Sequence, residues 1–510
     1  MFKRFRTTFY LILVVILGGL LRLISILNRG PFRFDEMQAI HYASFPIKKF
    51  FSYLIYETNP MFSFLFWRFW VKIFGPNEFW TRFPSLCFGL GSIISIYHLG
   101  KYLFNKKVGL FTSFLTAIIY LQVFIATEVK SYALIFLLST ASVYCFFKFI
   151  EENNKKYFLW YLIISAVLIH THLSGWLVIF SQNIFFFLEI WRKKYQNIWK
   201  LWILGQIILL IILIPWFVPW LIKKAGQTYS QNWYTSIPFS SPYILNQWRR
   251  LIFGQTSIFL LDEILFFGLI FLLGATLVDW QKKEWLIWQI KPTNNSKIVF
   301  LFLWLLCPTI LMLIFEFNHP LFLINASPAL YLLITYGLEK LKFFDSNYKT
   351  LFCSIFVFLL LISATTPILF LHNPYQDVSN FILQYEKQDE SSTLLRRSKI
   401  LVHVFPLVLP FQYYYRGNLP VEGFYPLEDK DDFDLRLIKK NWQQVVTKDN
   451  VNVLNNLTSG YQRIFLVYNR EGLDPENLVY EWFLQNNWHL VNKKTFRGVE
   501  GLIVFIFEKY

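Results

Sequence analysis

The sequence predicts a polytopic α-helical membrane protein of about eleven spans that ends in a small C-terminal α/β soluble domain. Three observations carry this prediction. Of 510 residues 55% are hydrophobic and only 16% charged, with 57 phenylalanines among them. That is more apolar surface than one water-soluble core absorbs. Runs long enough to cross hydrocarbon, about 20 residues each, recur along the chain as far as His372. Beyond His372 they give way to shorter segments of strand and helix character.

The runs fall near 7–28, 83–100, 108–126, 132–150, 157–172, 174–190, 200–221, 257–279, 298–316, 321–338 and 350–372. Those at 157–172 and 321–338 are short for a span. The first has the basic flank of a signal peptide in Lys3, Arg4 and Arg6. It is long, contains Arg22 and lacks a small-x-small cleavage site, so it reads as a retained helix. Cys87, Cys145, Cys307 and Cys353 each lie inside an apolar run, which argues against a disulfide framework and against a cysteine metal site.

A formal charge of +17 would suggest nucleic acid as the partner of a soluble protein. From His372 onward, however, 16 Lys+Arg face 17 Asp+Glu, so the excess belongs to the membrane domain. There it reads as topology and contact with anionic membrane lipids, and no nucleic-acid footprint stands out. With the N-terminus in the cytoplasm, six basic connections share one side: Lys3/Arg4/Arg6, Lys101/Lys106/Lys107, Lys148/Lys155/Lys156, Arg192/Lys193/Lys194, Lys282/Lys283 and Lys340/Lys342/Lys349. The non-cytoplasmic side then receives the loop 28–82, the turn 127–131, residues 170–174, the stretch 221–256, residues 318–320 and the tail.

The chain thus divides into a membrane domain, residues 1–372, and a soluble domain, residues 373–510. In the tail, 398–405 and 463–467 read as strands, 477–485 as a helix and 488–507 as a hairpin pivoting on Arg497-Gly498. The acidic stretch Glu428 to Asp434 reads as a solvated loop. Tyr413, Tyr414, Tyr415 and Arg416 read as a helix packed on the membrane domain, with a sugar-stacking surface as the competing reading.

Candidate chemistry gathers on the non-cytoplasmic side. Asp35 and Glu36 follow the first span directly, and two carboxylates at the bilayer surface are costly to place there idly. A desolvated Asp beside an acceptor hydroxyl can serve as general base. The competing reading is that the pair neutralises Arg29 and Arg33. Further along the loop, Phe62, Phe66, Phe69 and Ile73 form one face of an amphipathic interfacial helix, with Arg68 and Lys72 on another. Glu128 and Lys130 occupy a very short turn, where they pair, reach water or serve a polar cavity. His170 and His172 point apart if helical, so joint metal binding needs a non-helical turn. A hydrogen-bonding role at a cavity wall is the simpler reading.

In this order the segments resemble the GT-C membrane glycosyltransferases, in particular the dolichyl-phosphate-mannose-protein mannosyltransferases and their bacterial aminoarabinose-transferase relatives. The resemblance runs from Asp35-Glu36 through Asn59-Pro60-Met61-Phe62, Trp70 to Gly75 and Arg82-Phe83-Pro84-Ser85. It continues through Glu128-Val129-Lys130-Ser131-Tyr132, similar to the family's Glu-x-Arg-x-Tyr, then His170-Thr171-His172 with Gly175-Trp176, and Ser327 to Tyr331. The resemblance implies Asp35 as general base with Glu36 beside it. It also implies Glu57, Thr58, Glu128, Lys130, Tyr132 and His172 around the donor and its phosphate, and a bacterial plasma-membrane location. Thr58 stands where relatives carry Lys, Asn59 where they carry Pro and Lys130 where they carry Arg. Leu323-Ile324-Asn325 lacks the basic and aromatic pair found before Ser327.

The implied reaction takes a sugar from a polyprenyl-phosphate donor to a lipid, glycan or protein acceptor. One base suffices for a single inverting displacement, because phosphate needs charge stabilisation rather than protonation to leave. Either Arg/Lys or a divalent cation supplies that charge. The main competing class is a transporter or flippase of lipid-linked saccharides, which would show repeated halves and a site near the bilayer midplane. A polymerase or ligase acting on a lipid pyrophosphate saccharide is a second competing class, and a structural scaffold is a third.

Overall fold

The computed structural model describes residues 2–55, 57, 59–225, 252, 259–282, 288–292, 295–314, 320–341, 354, 357–358, 360–362, 372–388, 393–425, 433–434, 445–469, 473–498 and 501–509. Four described helices are long and apolar enough to cross a membrane, at Arg6–Asn28, Glu78–Leu103, Tyr132–Glu152 and Trp199–Ile222. Shorter apolar helices lie at Gly175–Trp191, Phe267–Thr276 and Ser296–Leu311. Most of the expected run 350–372, most of the stretch 221–256 and residues 315–319 fall outside the described residues.

The helical domain runs through α1 (Phe2–Asn28), α2 (Phe34–Ser44), α3 (Ile47–Leu54), α4 (Met61–Phe74), α5 (Glu78–Leu103) and α6 (Lys106–Ile118). It continues through α7 (Tyr120–Ile125), α8 (Tyr132–Glu152), α9 (Lys155–Thr171), α10 (Gly175–Trp191) and α11 (Trp199–Ala225). Asparagines start three of these helices. Asn77, Asn105 and Asn154 each accept from backbone N–H groups of the first turn of α5, α6 and α9, satisfying donors that have no partner within the helix. α5 packs on both α6 and α8. At its tightest point a Cβ placed on Gly109 would lie 2.6 Å from Tyr97 O, so only glycine admits this approach.

Two expected spans are broken. The run 108–126 stops being helical at Ile119, whose ψ of 134° separates α6 from α7. The buried Arg22 of α1 explains how the break is tolerated, since its guanidinium donates to Ala117 O at 2.9 Å, Thr116 O at 3.0 Å and Gly18 O at 2.9 Å. Backbone carbonyls without helical partners at this depth need such a donor. The run 321–338 divides into a 3₁₀ turn, Pro320–Ala326, and a helix, Ser327–Lys340. Pro328 sits in the first turn of that helix, where its missing N–H costs nothing.

The basic connection at Lys282 ends β1 (Val278–Lys282), which pairs antiparallel with β2 (Trp288–Pro292). The sequence pattern predicts no strand there. Among the described residues the C-terminal part holds one five-stranded sheet of β3 (Ser398–His403), β4 (Val421–Gly423), β5 (Arg463–Asn469), β6 (His489–Phe496) and β7 (Leu502–Glu508), in the order β4-β3-β5-β7-β6. β3 runs parallel to both β4 and β5, while β7 is antiparallel to β5 and β6. Both predicted strands, the helix (Leu478–Gln485) and the hairpin are present, with ends displaced by up to two residues. β3 and β5 are buried along their whole length, as strands covered on both faces should be.

Candidate active site

The segment between α1 and α2 is held from several directions. Arg82, in the first turns of α5, donates to both carboxylate oxygens of Glu36, at 2.9 and 2.8 Å, and to Gly30 O at 2.8 Å. Glu36 also accepts from Arg33 N at 3.0 Å, the return bond of a capping arrangement, and from Val129 N at 3.2 Å. It is 0% exposed. Burial alone would raise its carboxyl, but the Arg82 guanidinium, reinforced by Arg29, holds it down at about 2. Glu36 therefore braces the 30–36 segment against the turn 127–131 and is not available as a proton carrier.

Asp35 has the opposite environment. Its side chain is 53% exposed and lies 3.1 Å from Lys130 Nζ. The desolvated carboxylate of the pair is thus Glu36, and the accessible one is Asp35. Lys130 keeps its charge: burial opposes it, but Asp35 foremost, then Glu57 and Glu128, raise its ammonium above the usual range. Beside it opens a small cleft lined by Gln38, Asn59, Trp67, Lys130, Tyr132 and His172 among others. The cleft lies at the start of α8 and the end of α9, where the backbone turns expose polar groups.

The other expected residues take varied places. Glu57 is buried, accepting from Tyr42 Oη at 2.6 Å and from Gln38 Nε2 at 3.1 Å, so it orients the wall of the cleft. Thr58 lies outside the described residues. Glu128 pairs with Arg29 at 2.5 Å and with Arg33 at 2.8 Å, faces the loop frame and does not line the cleft. The close ion pairs of Arg29 and Arg33 with Glu128 add a partner beyond the acidic pair that follows them in sequence, while Arg29 also acts on Glu36. His172 Nδ1 accepts from Ser174 N at 3.1 Å, which leaves the ring proton on Nε2. Its ring lies 6.1 Å from that of Tyr132. His170 Nδ1 sits 2.9 Å from Ala166 O along its own helix, so the two histidines do not converge. Among the described residues no three of His, Cys, Asp and Glu form a metal-ligand group.

The interfacial helix forms as α4, with Phe69 and Ile73 exposed as expected for a lipid-facing side. Arg68, in contrast, is buried and donates to Tyr42 O and Ala43 O at the end of α2, a capping role and not an anchoring one. Sequence reasoning gave no role to Arg82, although an arginine in the first turn of a span is costly without a partner. That cost was the available signal.

The helical arrangement has the GT-C fold of the solved membrane glycosyltransferases it is similar to, and its long apolar helices make the chain an integral membrane protein. Residues 58–220 match the family model described as dolichyl-phosphate-mannose-protein mannosyltransferase, a range that includes Lys130 and His172 and begins after Asp35. The chain is similar over 98% of its length to ArnT from Cupriavidus metallidurans bound to undecaprenyl phosphate, with 98% of that chain covered, TM-score 0.56 and 13% identity. It is also similar over 99% of its length to the Archaeoglobus fulgidus oligosaccharyltransferase tethered with an acceptor peptide. That match covers 74% of the archaeal chain, with TM-score 0.54 and 12% identity. No curated protein sequence matches.

Proposed function

We propose that this protein is a glycosyltransferase that moves a sugar from a polyprenyl phosphate to an acceptor hydroxyl, with inversion, at the non-cytoplasmic face of a bacterial plasma membrane. The observation that carries the reading is the accessible carboxylate of Asp35 beside Lys130 at a polar and aromatic cleft. In the reaction the acceptor oxygen attacks the anomeric carbon as the bond from that carbon to the phosphate oxygen breaks. Asp35 takes the acceptor proton, and the polyprenyl phosphate leaves with its charge met by Lys130. The indole N–H of Trp67, which has no hydrogen-bond partner among the described residues, suits a hydroxyl of a sugar ring. About eleven spans, a membrane domain of residues 1–372 and a non-cytoplasmic domain of residues 373–510 complete the proposal. A cleft at helix ends fits it better than a transporter, whose site belongs near the midplane.

The test is transfer of label from a polyprenyl-phosphate sugar by purified protein, wild type against Asp35→Asn. The substitution should lower kcat by about 10²–10⁴-fold, the usual contribution of a general base. Undiminished transfer by Asp35→Asn would overturn the role of Asp35.

A further inference from the structure

The segment that leads into Asp35 is held by the C-terminal domain as well as by Arg82. Helix Val408–Tyr414 packs against α2, and Phe405, Leu409 and Tyr425 share one apolar cluster with Phe32, Met37 and Ile40. At the centre of this contact the Tyr414 hydroxyl accepts from Phe32 N at 2.7 Å and donates to Glu78 Oε1 at 2.9 Å. Asn373 Nδ2 donates to Pro31 O at 3.1 Å. The ring of Tyr413 stands edge-on to that of Phe32, 5.7 Å between centroids. Arg82 holds Gly30 O from the membrane side. Tyr414 therefore takes up the amide three residues before Asp35, at a residue that is itself fully buried.

We propose that Tyr414 is a positioning residue for Asp35: through the Phe32 amide it fixes how α2 leaves the membrane domain and presents its first turn to the cleft. This inference rests on the reading of Asp35 as the base. It makes the C-terminal α/β domain a component of the catalytic centre rather than an appended module. A buried N–H left without its acceptor carries an uncompensated desolvation penalty, which lets the segment find other arrangements. Displacement of a catalytic group by about 1 Å costs up to about 10²-fold in rate.

The experiment compares Tyr414→Phe with Tyr413→Phe in the full-length protein. Both changes remove one hydroxyl from the same helix and keep the ring, but the Tyr413 hydroxyl bonds Pro76 O and not the 30–36 segment. Hydrogen exchange of the amides of residues 32–36 should quicken about tenfold in Tyr414→Phe alone. With a polyprenyl-phosphate sugar as donor, its kcat should fall about tenfold with KM unchanged. Unchanged exchange at 32–36 overturns the inference, as do equal effects of the two substitutions, which would indicate docking alone. A wild type that transfers sugar, with a Tyr414→Phe variant that transfers equally well, overturns this inference and leaves the function standing. A wild type that transfers none overturns both.

Discussion

Glu36 accepts four hydrogen bonds, two from Arg82 and two from backbone amides of Arg33 and Val129. Its carboxyl titrates at about 2, below the ordinary value near 4.3. The stabilisation from this ion pair is therefore complete above about pH 4.3 and is lost as pH falls toward 2, a change on the order of 3 kcal/mol. Glu36→Gln leaves the Arg82 charge buried without a counter-ion, which typically costs about 3–5 kcal/mol. The apparent melting temperature in detergent should drop by several degrees at pH 7, and the difference from wild type should shrink as pH approaches 2. A variant as stable as wild type at pH 7 would mean that Arg82 finds another partner. Sequence alone showed that Asp35 and Glu36 were costly to place, but not which of them faced water. That distinction depends on Arg82 and Val129, which lie far along the chain.

At the scale of elements, the clearest departure from the expected spans is the break between α6 and α7. A 19-residue apolar run carries no local sign of it, because the residue that makes it tolerable, Arg22, belongs to another helix. The space for that guanidinium comes from a third helix, where a Cβ on Gly89 would lie 2.8 Å from Arg22 Nε. Arg22→Leu leaves Thr116 O and Ala117 O without their donors in a region that water does not reach, and each orphaned group costs about 1–3 kcal/mol. The expected outcome is a lower melting temperature with transfer activity falling alongside it, since α7 leads directly into the turn that holds Glu128 and Lys130. Retention of the wild-type melting temperature would show that the break does not depend on Arg22. Where the pattern was local, the reading succeeded: the starts of α6 and α9 and the strands β5 and β7 appear close to where the sequence puts them.

The molecule as a whole is joined by contacts that no segment announces by itself. The acidic stretch 428–434 read as a solvated loop; its residues 428–432 lie outside the described residues, but Asp434 is only 16% exposed and bridges the two domains. It bonds His41 Nε2 of α2 at 2.6 Å and the ammonium of Lys49 in α3, while Phe433 packs edge-on against the His41 ring. Burial raises the Asp434 carboxyl, but the hydrogen bonds from His41 and Lys49 outweigh it and hold the group below its usual value. A depressed carboxyl contributes stability above its ordinary value near 3.9 and loses that contribution as pH falls through the lower, folded value. The bridge should thus be intact at neutral pH and open in acid. Asp434→Asn keeps the shape but removes the charge, and for a partly exposed pair the loss should be about 1 kcal/mol, read as a several-fold faster hydrogen exchange across residues 41–49 at pH 7. Lys49→Ala should give a similar change, and the double variant should exceed either single one by little, because both break the same bridge. Fully additive effects would mean that Lys49 acts independently of Asp434.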